Sequence, residues 1–283
     1  MKTELYVISA YSNMHVGSGE MNFGVIDNLI QRDVVTGLPA INSSSLKGAL
    51  REYFKNIENV GEMVTDIFGS ESRGQNAEQL KQGKFRFFEA KLLSIPVRCD
   101  KVPYLRATSC EVLKELLTNI TEFALQLDGL QEELRQLLEA LHPEAGGPFV
   151  LNKELEDGYI EDFDLRATFY DYRQPIDCIQ KLLGNRFVIL HNTDFSRLCD
   201  NDHLPVMARN NLNNGESKNL WYEQIIPRFT HFYFVVMKDG KYVNSFDEHL
   251  SEKLIQIGAN ATIGYGYSRI QKINLLNVMN YEN

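Results

Sequence analysis

His15-Val16-Gly17-Ser18-Gly19, then Gly24-Val25-Ile26-Asp27-Asn28-Leu29-Ile30-Gln31-Arg32-Asp33, Thr36-Gly37-Leu38-Pro39 and Ser43-Ser44-Ser45-Leu46-Lys47-Gly48-Ala49-Leu50-Arg51 form the stretch on which the reading of this chain turns. It is preceded by Glu4-Leu5-Tyr6-Val7-Ile8-Ser9-Ala10-Tyr11, whose β-branched and aromatic residues predict a strand. A glycine-bearing loop follows, then a short apolar piece from Phe23 to Asp27 and a turn from Asp33 to Pro39. The serine run is a dense helix-start signal, because serine oxygens can satisfy the free N–H groups of a first turn. Leu46, Leu50, Tyr53 and Phe54 give that helix an apolar face, and Lys47, Arg51 and Lys55 recur at i, i+4 and i+8 as a basic stripe.

Further along, Gly69 to Gly83 is polar and glycine-punctuated and reads as a loop. Phe85-Arg86-Phe87-Phe88 and Lys91 to Val97 read as strands. Glu111 to Leu141 carries leucine stripes at helical spacing, and the turn signals His142-Pro143 and Gly146-Gly147-Pro148 end it. Phe187 to Leu190 and Phe232 to Val236 are apolar runs of buried-strand type. Between them, Ala208 to Lys218 has an Asn-Gly centre that predicts a hairpin tip. A second glycine-rich loop, Ile257 to Tyr267, leads into the strand-like Ser268-Arg269-Ile270.

The chain has 283 residues, 43% of them apolar, which excludes a disordered tail or a coiled coil and leaves ample material for a core. No apolar run approaches the roughly 20 residues of a membrane helix, and the N-terminus lacks the apolar run of a signal peptide, so a soluble, cytoplasmic protein is expected. Cys99, Cys110, Cys178 and Cys199 show no metal-binding spacing and read as buried reduced thiols. The net charge of −9 argues against nucleic-acid binding until it is located. Between Glu111 and Glu161 lie twelve acids and three bases, which account for all of it; the remainder holds 26 of each. That acidic segment is most simply a solvated helix face, and a neutral body leaves room for a local basic groove.

Gly17-Ser18-Gly19 lacks the third glycine of a dinucleotide-binding loop, since Asn22 takes its place, and the chain contains no G-K-[ST] of a phosphate-binding loop. A small-molecule enzyme of either type is therefore disfavoured. The loop is a tight turn, or a place where backbone approaches a phosphate closely. The helix start with Lys47 and Arg51 is either an ordinary amphipathic helix or a grip on a sugar–phosphate backbone, where the N-terminal N–H groups and a mobile charge act together. Asp27 either serves a turn and pairs with a cation such as Arg32, or is an exposed carboxylate able to hold Mg²⁺ or orient an attacking 2′-hydroxyl. His15 is a plausible acid–base neighbour or a structural histidine.

In this order the blocks resemble the N-terminal signature of RAMP proteins of CRISPR effector complexes, and specifically the repeated backbone subunit of the type III-B (Cmr) complex. Gly83 to Arg98, Leu220-Trp221-Tyr222-Glu223-Gln224-Ile225-Ile226-Pro227 and Gly258 to Tyr267 extend the likeness over nearly the whole chain. The resemblance implies an α+β fold, a single RAMP domain over 1–283 with a ferredoxin-like (RRM-like) core. It implies an acidic, largely helical insertion over 105–165 and a protruding β-hairpin thumb over 200–222, with Leu212 in the thumb. Copies would stack head to tail on a guide RNA beside other subunits of the complex. Paired target RNA would be cut at six-nucleotide intervals, with Mg²⁺ or another divalent cation shared with RNA phosphates. Asp27 matches the catalytic, metal-holding aspartate of the family, and Ser44, Ser45, Lys47 and Arg51 its guide-contacting helix start. Gly17, Gly19, Gly264 and Gly266 are implied to approach RNA, and His15, Tyr222 and Glu223 to lie in the cleavage neighbourhood. Gly258-Ala259-Asn260 departs from the paired glycines more frequent in the family, which implies a less close approach to RNA there. The alternative is a structural guide-RNA-binding subunit that cuts nothing.

Overall fold

The computed structural model describes residues 1–19, 24–70, 81–141, 147–160, 164–214, 216–251 and 253–273. Phe23, the middle of the Gly69–Gly83 loop, His142 to Gly146 and Gly215 lie outside them. The fold is mixed α+β. In chain order it opens with β1 (Lys2–Ala10), β2 (Ala40–Ile41), α1 (Ser43–Lys55), α2 (Gly61–Phe68), β3 (Arg86–Phe87), β4 (Ala90–Val97) and β5 (Leu105–Ser109). It continues with α3 (Cys110–Glu122), α4 (Asp128–Ala140), β6 (Phe149–Val150), β7 (Tyr159–Ile160), β8 (Leu165–Arg166), β9 (Thr168–Phe169), α5 (Asp177–Leu183), β10 (Phe187–Leu190) and α6 (Asn192–Leu198). It closes with β11 (Val206–Asn213), β12 (Glu216–Gln224), β13 (His231–Lys238), α7 (Val243–Leu250), β14 (Leu254–Gln256) and β15 (Tyr267–Lys272).

The chain divides into two compact units. The first comprises Met1–Lys91, Pro205–Arg228 and Phe232–Lys272. Its sheet runs β14-β15-β1-β13, with β3 added on β13. From Glu4 on, β1 is buried almost without interruption, as its apolar composition requires. Leu46, Leu50 and Phe54 turn the apolar face of α1 into the core, where Phe54 stacks on Phe246 with ring centroids 5.3 Å apart. One buried charge cluster braces this unit. Lys238, fully buried, pairs with Glu4 and Asp247 and donates to the Tyr6 hydroxyl at 2.8 Å, and Lys272 reaches Glu4 at 2.8 Å and Asp247 at 3.0 Å. Burial pushes the Glu4 carboxyl up, but hydrogen bonds from Lys2, Lys238 and Lys272 outweigh it and hold the group at about 2.

The second unit comprises Leu92–Leu204, Phe229–His231 and Ile273–Asn283. Its sheet runs β4-β5-β10-β6-β9, with β5 and β10 parallel and β4 and β5 antiparallel. The acidic segment expected as an insertion over 105–165 belongs to this unit, whose core also takes in Leu182, Leu183, Phe187 and Phe195. The leucine-striped stretch from Glu111 to Leu141 forms two helices, because Ala124 adopts a positive φ of 48° and the chain reverses before Asp128. Leu125 and Leu127 in the break are buried, so the interruption continues the core. Ser109 caps α3 through the Val112 N–H. All four cysteines are free thiols; Cys99 and Cys199 are buried, whereas Cys110 and Cys178 are half-buried. Burial, followed by the Glu133 carboxylate, raises the Cys178 thiol to about 11.

Candidate functional site

The site lies within the first unit, where a long hairpin meets the N-terminal loops. Strands β11 and β12 pair antiparallel with Asn214 at the turn, in the left-handed region favoured by asparagine. Near the tip Leu212 pairs with Ser217, but Asn211 pairs with Asn219, so Lys218 is an extra residue that bulges β12. Below this bulge the pairs are Arg209 with Trp221, Ala208 with Tyr222 and Met207 with Glu223.

The outer edge of β12 binds the Asp27 loop. The Asp27 and Asn28 N–H groups both donate to the Tyr222 carbonyl at 3.1 Å, and the Gln224 N–H donates to the Asn28 carbonyl at 2.9 Å. The Tyr222 N–H donates to Asp27 Oδ2 at 2.8 Å, so a side-chain oxygen takes the place a backbone carbonyl would hold in a further strand. Asp27 is exposed, and Oδ1 carries no hydrogen bond among the described residues. Asp27 is thus brought to the strand edge that carries Tyr222 and Glu223, more than 190 positions away in sequence. Tyr222 is 37% exposed.

Glu223, in contrast, is buried and internally engaged. Its Oε1 accepts from Trp221 Nε1 at 2.9 Å; its Oε2 accepts from Asn260 Nδ2 at 2.8 Å and faces Arg209 at 3.4 Å. His15 is buried as well, with Nδ1 2.7 Å from the Gln224 carbonyl, the geometry of a ring N–H donating to it. The His15 carbonyl accepts from the Ala259 N–H at 2.8 Å. His15 therefore links the N-terminal loop to the base of the hairpin and to the closing loop.

Strand-like contacts from Gly17 to Ile30 and from Arg32 to Pro39 fold the N-terminal loops together. Their junction with α1 is made by Gln31, which sequence patterning did not single out. Its Nε2 donates to the Gly17 carbonyl at 3.1 Å and to Ser45 Oγ at 2.8 Å, and its Oε1 accepts from the Asn42 N–H at 2.8 Å. The serine run does not cap the helix as the sequence predicts. Asn42 is the N-cap residue, with no side-chain cap bond, and Ser43, Ser44 and Ser45 form the first turn. Ser43 and Ser44 are exposed, and Lys47 is half-buried. Arg51 departs from the basic stripe, because its guanidinium donates to the Gly69 carbonyl at 2.7 Å.

In the closing loop Gly264 and Gly266 both have positive φ, 83° and 77°. A Cβ on Gly266 would collide with the Ile257 carbonyl, whereas space around Gly264 is open, so only Gly264 leaves room for a close approach from outside. Gly17 lies against the His15 ring, and Gly19 faces open space. The side chain of Leu212 lies outside the described residues, and its backbone is in β11 near the turn. Arg209, Trp221 and Asn260 are further site residues to which the sequence assigned no role, although Trp221 lies in a block of the resemblance and Asn260 in the glycine departure.

No group of three or more His, Cys, Asp or Glu residues suited to a metal ion exists among the described residues. Among the described residues the site thus offers the exposed Asp27 carboxylate, which fits a cation held mainly by substrate oxygens and water and not a cage of protein ligands. No helix among the described residues is long and apolar enough to cross a membrane.

The hairpin, the N-terminal loops, the closing loop and the start of α1 thus form one hydrogen-bonded assembly within an α+β unit, with the exposed Asp27 carboxylate on the edge of β12. The chain belongs to the RAMP superfamily, whose model matches residues 7–269. It is similar to the CRISPR system Cmr endoribonuclease Cmr4 of Pyrococcus furiosus, with 28% identity over 297 residues covering 95% of both chains. The fold matches a chain of the type III-B Cmr-beta complex in its apo state, with a TM-score of 0.80 and 23% identity over 97% of this chain and 98% of that one. It also matches oligomeric Cmr4 from Pyrococcus furiosus, with a TM-score of 0.65 and 23% identity over 96% and 98% of the two chains.

Proposed function

We propose that this chain is a repeated backbone subunit of a type III-B CRISPR ribonucleoprotein. It acts in the cytoplasm, where it binds guide RNA, stacks on further copies of itself beside other subunits, and cleaves paired target RNA at six-nucleotide intervals. Support comes from the likeness to a Cmr endoribonuclease over 95% of the chain and from the match, at a TM-score of 0.77, to a chain of Cmr-beta bound to cognate target RNA. The observation that carries the reading is the Asp27 carboxylate, exposed and aimed by the Tyr222 N–H at the foot of the hairpin.

In this reading Lys47 and the exposed first-turn N–H groups of α1 hold guide phosphates, with Ser44, Ser45 and the Gly17-Ser18-Gly19 loop alongside. Contacts to phosphate and sugar tolerate any guide sequence, as a guide-loaded complex requires. Arg51 supports that grip through Gly69, and Gly264 admits RNA to the closing loop. The hairpin splays the RNA backbone so that a 2′-hydroxyl lines up with its neighbouring phosphate, which supplies much of the acceleration. Asp27 orients that hydroxyl and accepts its proton; attack on phosphorus gives a cyclic phosphate as the bond to the 5′-oxygen of the next nucleotide breaks, and that oxygen leaves as a hydroxyl with a proton from water. Mg²⁺ or another divalent cation, bound by Asp27 and RNA phosphates, would neutralise charge developing on the phosphate. Tyr222 borders the reacting strand, and His15 holds the base of β12 by its bond to Gln224.

The test uses the assembled complex with guide, end-labelled matched target and Mg²⁺. Wild type gives products spaced six nucleotides apart. Asp27→Asn retains an oxygen acceptor for the Tyr222 N–H, so assembly survives while cutting falls by about 10²–10⁴-fold. Undiminished cutting by Asp27→Asn removes the carboxylate from the mechanism. A second reading, a subunit that binds RNA without cutting, draws on the structural bond Asp27 already makes to Tyr222; a wild-type complex that yields no products favours it.

A further inference from the structure

We propose that Asn260 and Arg209 are positioning residues, which act through Glu223 to set the strand edge on which Asp27 sits. The inference rests on the cleavage role proposed for Asp27. Glu223 is buried, and both of its carboxylate oxygens are engaged, by Trp221 on one side and by Asn260 and Arg209 on the other. A carboxylate so enclosed fastens three segments: β11 through Arg209, β12 through Trp221, and the closing loop through Asn260. Its own backbone lies between Tyr222, whose N–H and carbonyl hold Asp27, and Gln224, which pairs with Asn28 and His15. A shift of Glu223 is therefore transmitted to Asp27 along one continuous strand.

Three further observations converge on this clamp. The Arg209 guanidinium lies 5.9 Å from the ring centres of both Trp221 and Tyr265, so its charge bridges an aromatic ring of the hairpin and one of the closing loop. Asn260 has φ 66° and ψ 31°, a conformation in which glycine is at home and asparagine is tolerated. The Tyr265 N–H donates to the Asn260 carbonyl at 3.2 Å, which closes the loop on itself. What Asn260 adds over glycine is the side-chain amide that donates to Glu223.

The experiment compares Asn260→Asp, Asn260→Gly and the double variant Asn260→Asp with Glu223→Gln. It uses the assembled complex and measures single-turnover cleavage, guide-RNA affinity and melting temperature. Aspartate accepts the same backbone conformation but places a second carboxylate against Glu223. Glycine keeps the conformation and removes the donor. Displacing reacting groups by about an ångström costs up to about 100-fold, so both single variants are expected to cut about 10- to 100-fold more slowly, with guide affinity within about 2-fold of wild type. In the double variant the amide introduced on β12 donates to the carboxylate introduced in the closing loop, and its oxygen still accepts from Trp221. Cleavage then recovers to within about 5-fold of wild type, since the clamp is restored with its donor and acceptor exchanged.

Wild-type cutting by Asn260→Asp overturns the proposal. So does a double variant no faster than Asn260→Asp, which is the outcome expected of Glu223 reacting directly with RNA. Loss of guide binding and of melting temperature in proportion to lost cutting reduces Asn260 to a fold support and overturns it too. Asp27→Asn in the same assay separates the two readings: if that variant cuts normally, the role of Asp27 fails whatever Asn260 does.

Discussion

Replacing Gln31 with leucine removes the junction of the N-terminal loops with α1. The side chain is buried and makes three hydrogen bonds, at 2.8, 2.8 and 3.1 Å. Leucine has similar size, so the loss is mainly that of the Asn42 N–H, the Gly17 carbonyl and the Ser45 hydroxyl as satisfied groups. At about 1 kcal/mol for each, and somewhat more where water cannot replace the partner, the expected destabilisation is about 2–4 kcal/mol. For a chain of this size that corresponds to a melting temperature lower by about 3–7 °C. Gln31→Glu separates the contributions. It keeps the acceptor for Asn42, and Ser45 can turn its hydroxyl to donate, but the Gly17 carbonyl then faces a carboxylate. Its cost falls between wild type and leucine, at about 1–2 kcal/mol. Urea unfolding of the full chain followed by fluorescence measures both, and single-stranded RNA binding by the same samples reads the effect on the loops and helix that Gln31 joins. Equal stabilities for Gln31→Leu and wild type, within about 0.5 kcal/mol, would refute the role of Gln31 as a junction.

Two further outcomes follow from the same structure. Lys47→Ala should weaken guide-RNA binding and lower the slope of log affinity against log salt by about 0.7–0.9, the value of one phosphate contact; an unchanged slope contradicts that contact. Burial, reinforced by the charge of Arg106, lowers the His231 ring to about 3, so it stays neutral in the folded chain while an unfolded histidine gains a proton near 6.5. Its contribution is full above about pH 6.5 and is lost as pH falls, by about 2 kcal/mol at pH 5. Urea midpoints of wild type and His231→Gln at pH 7, 6 and 5 should converge on acidification, and parallel declines would contradict the assignment.

Local chemistry made much of this molecule legible in sequence. The strand character of β1, the apolar face of α1 and the turn at Asn214 each depend on residues close together in the chain, where periodicity and backbone preference act directly. Asp27 was readable as a candidate because a carboxylate among apolar residues is chemically conspicuous, and the order of the blocks around it carried the resemblance. The serine signal misplaces the helix start, because the Gln31 bond to the Asn42 N–H fixes Asn42 as the last residue outside the helix without any side-chain cap.

The bulge at Lys218 shows why the rest of the site could not be read in the same way. A hairpin without it would pair Arg209 with Leu220, and every β12 side chain beyond Lys218 would change faces relative to β11. One extra residue places Arg209, Trp221 and Glu223 on a common face, and no pattern in the sequence announces a single-residue slip. Gln31, Asn260 and Arg51 acquire their roles from partners 11 to 37 positions away, and Asp27 acquires its aim from a backbone N–H 195 positions away. Composition and spacing specify which elements form because those preferences are local. Which polar groups meet is settled only on folding, when each buried donor or acceptor must take whichever partner the packed chain brings within reach.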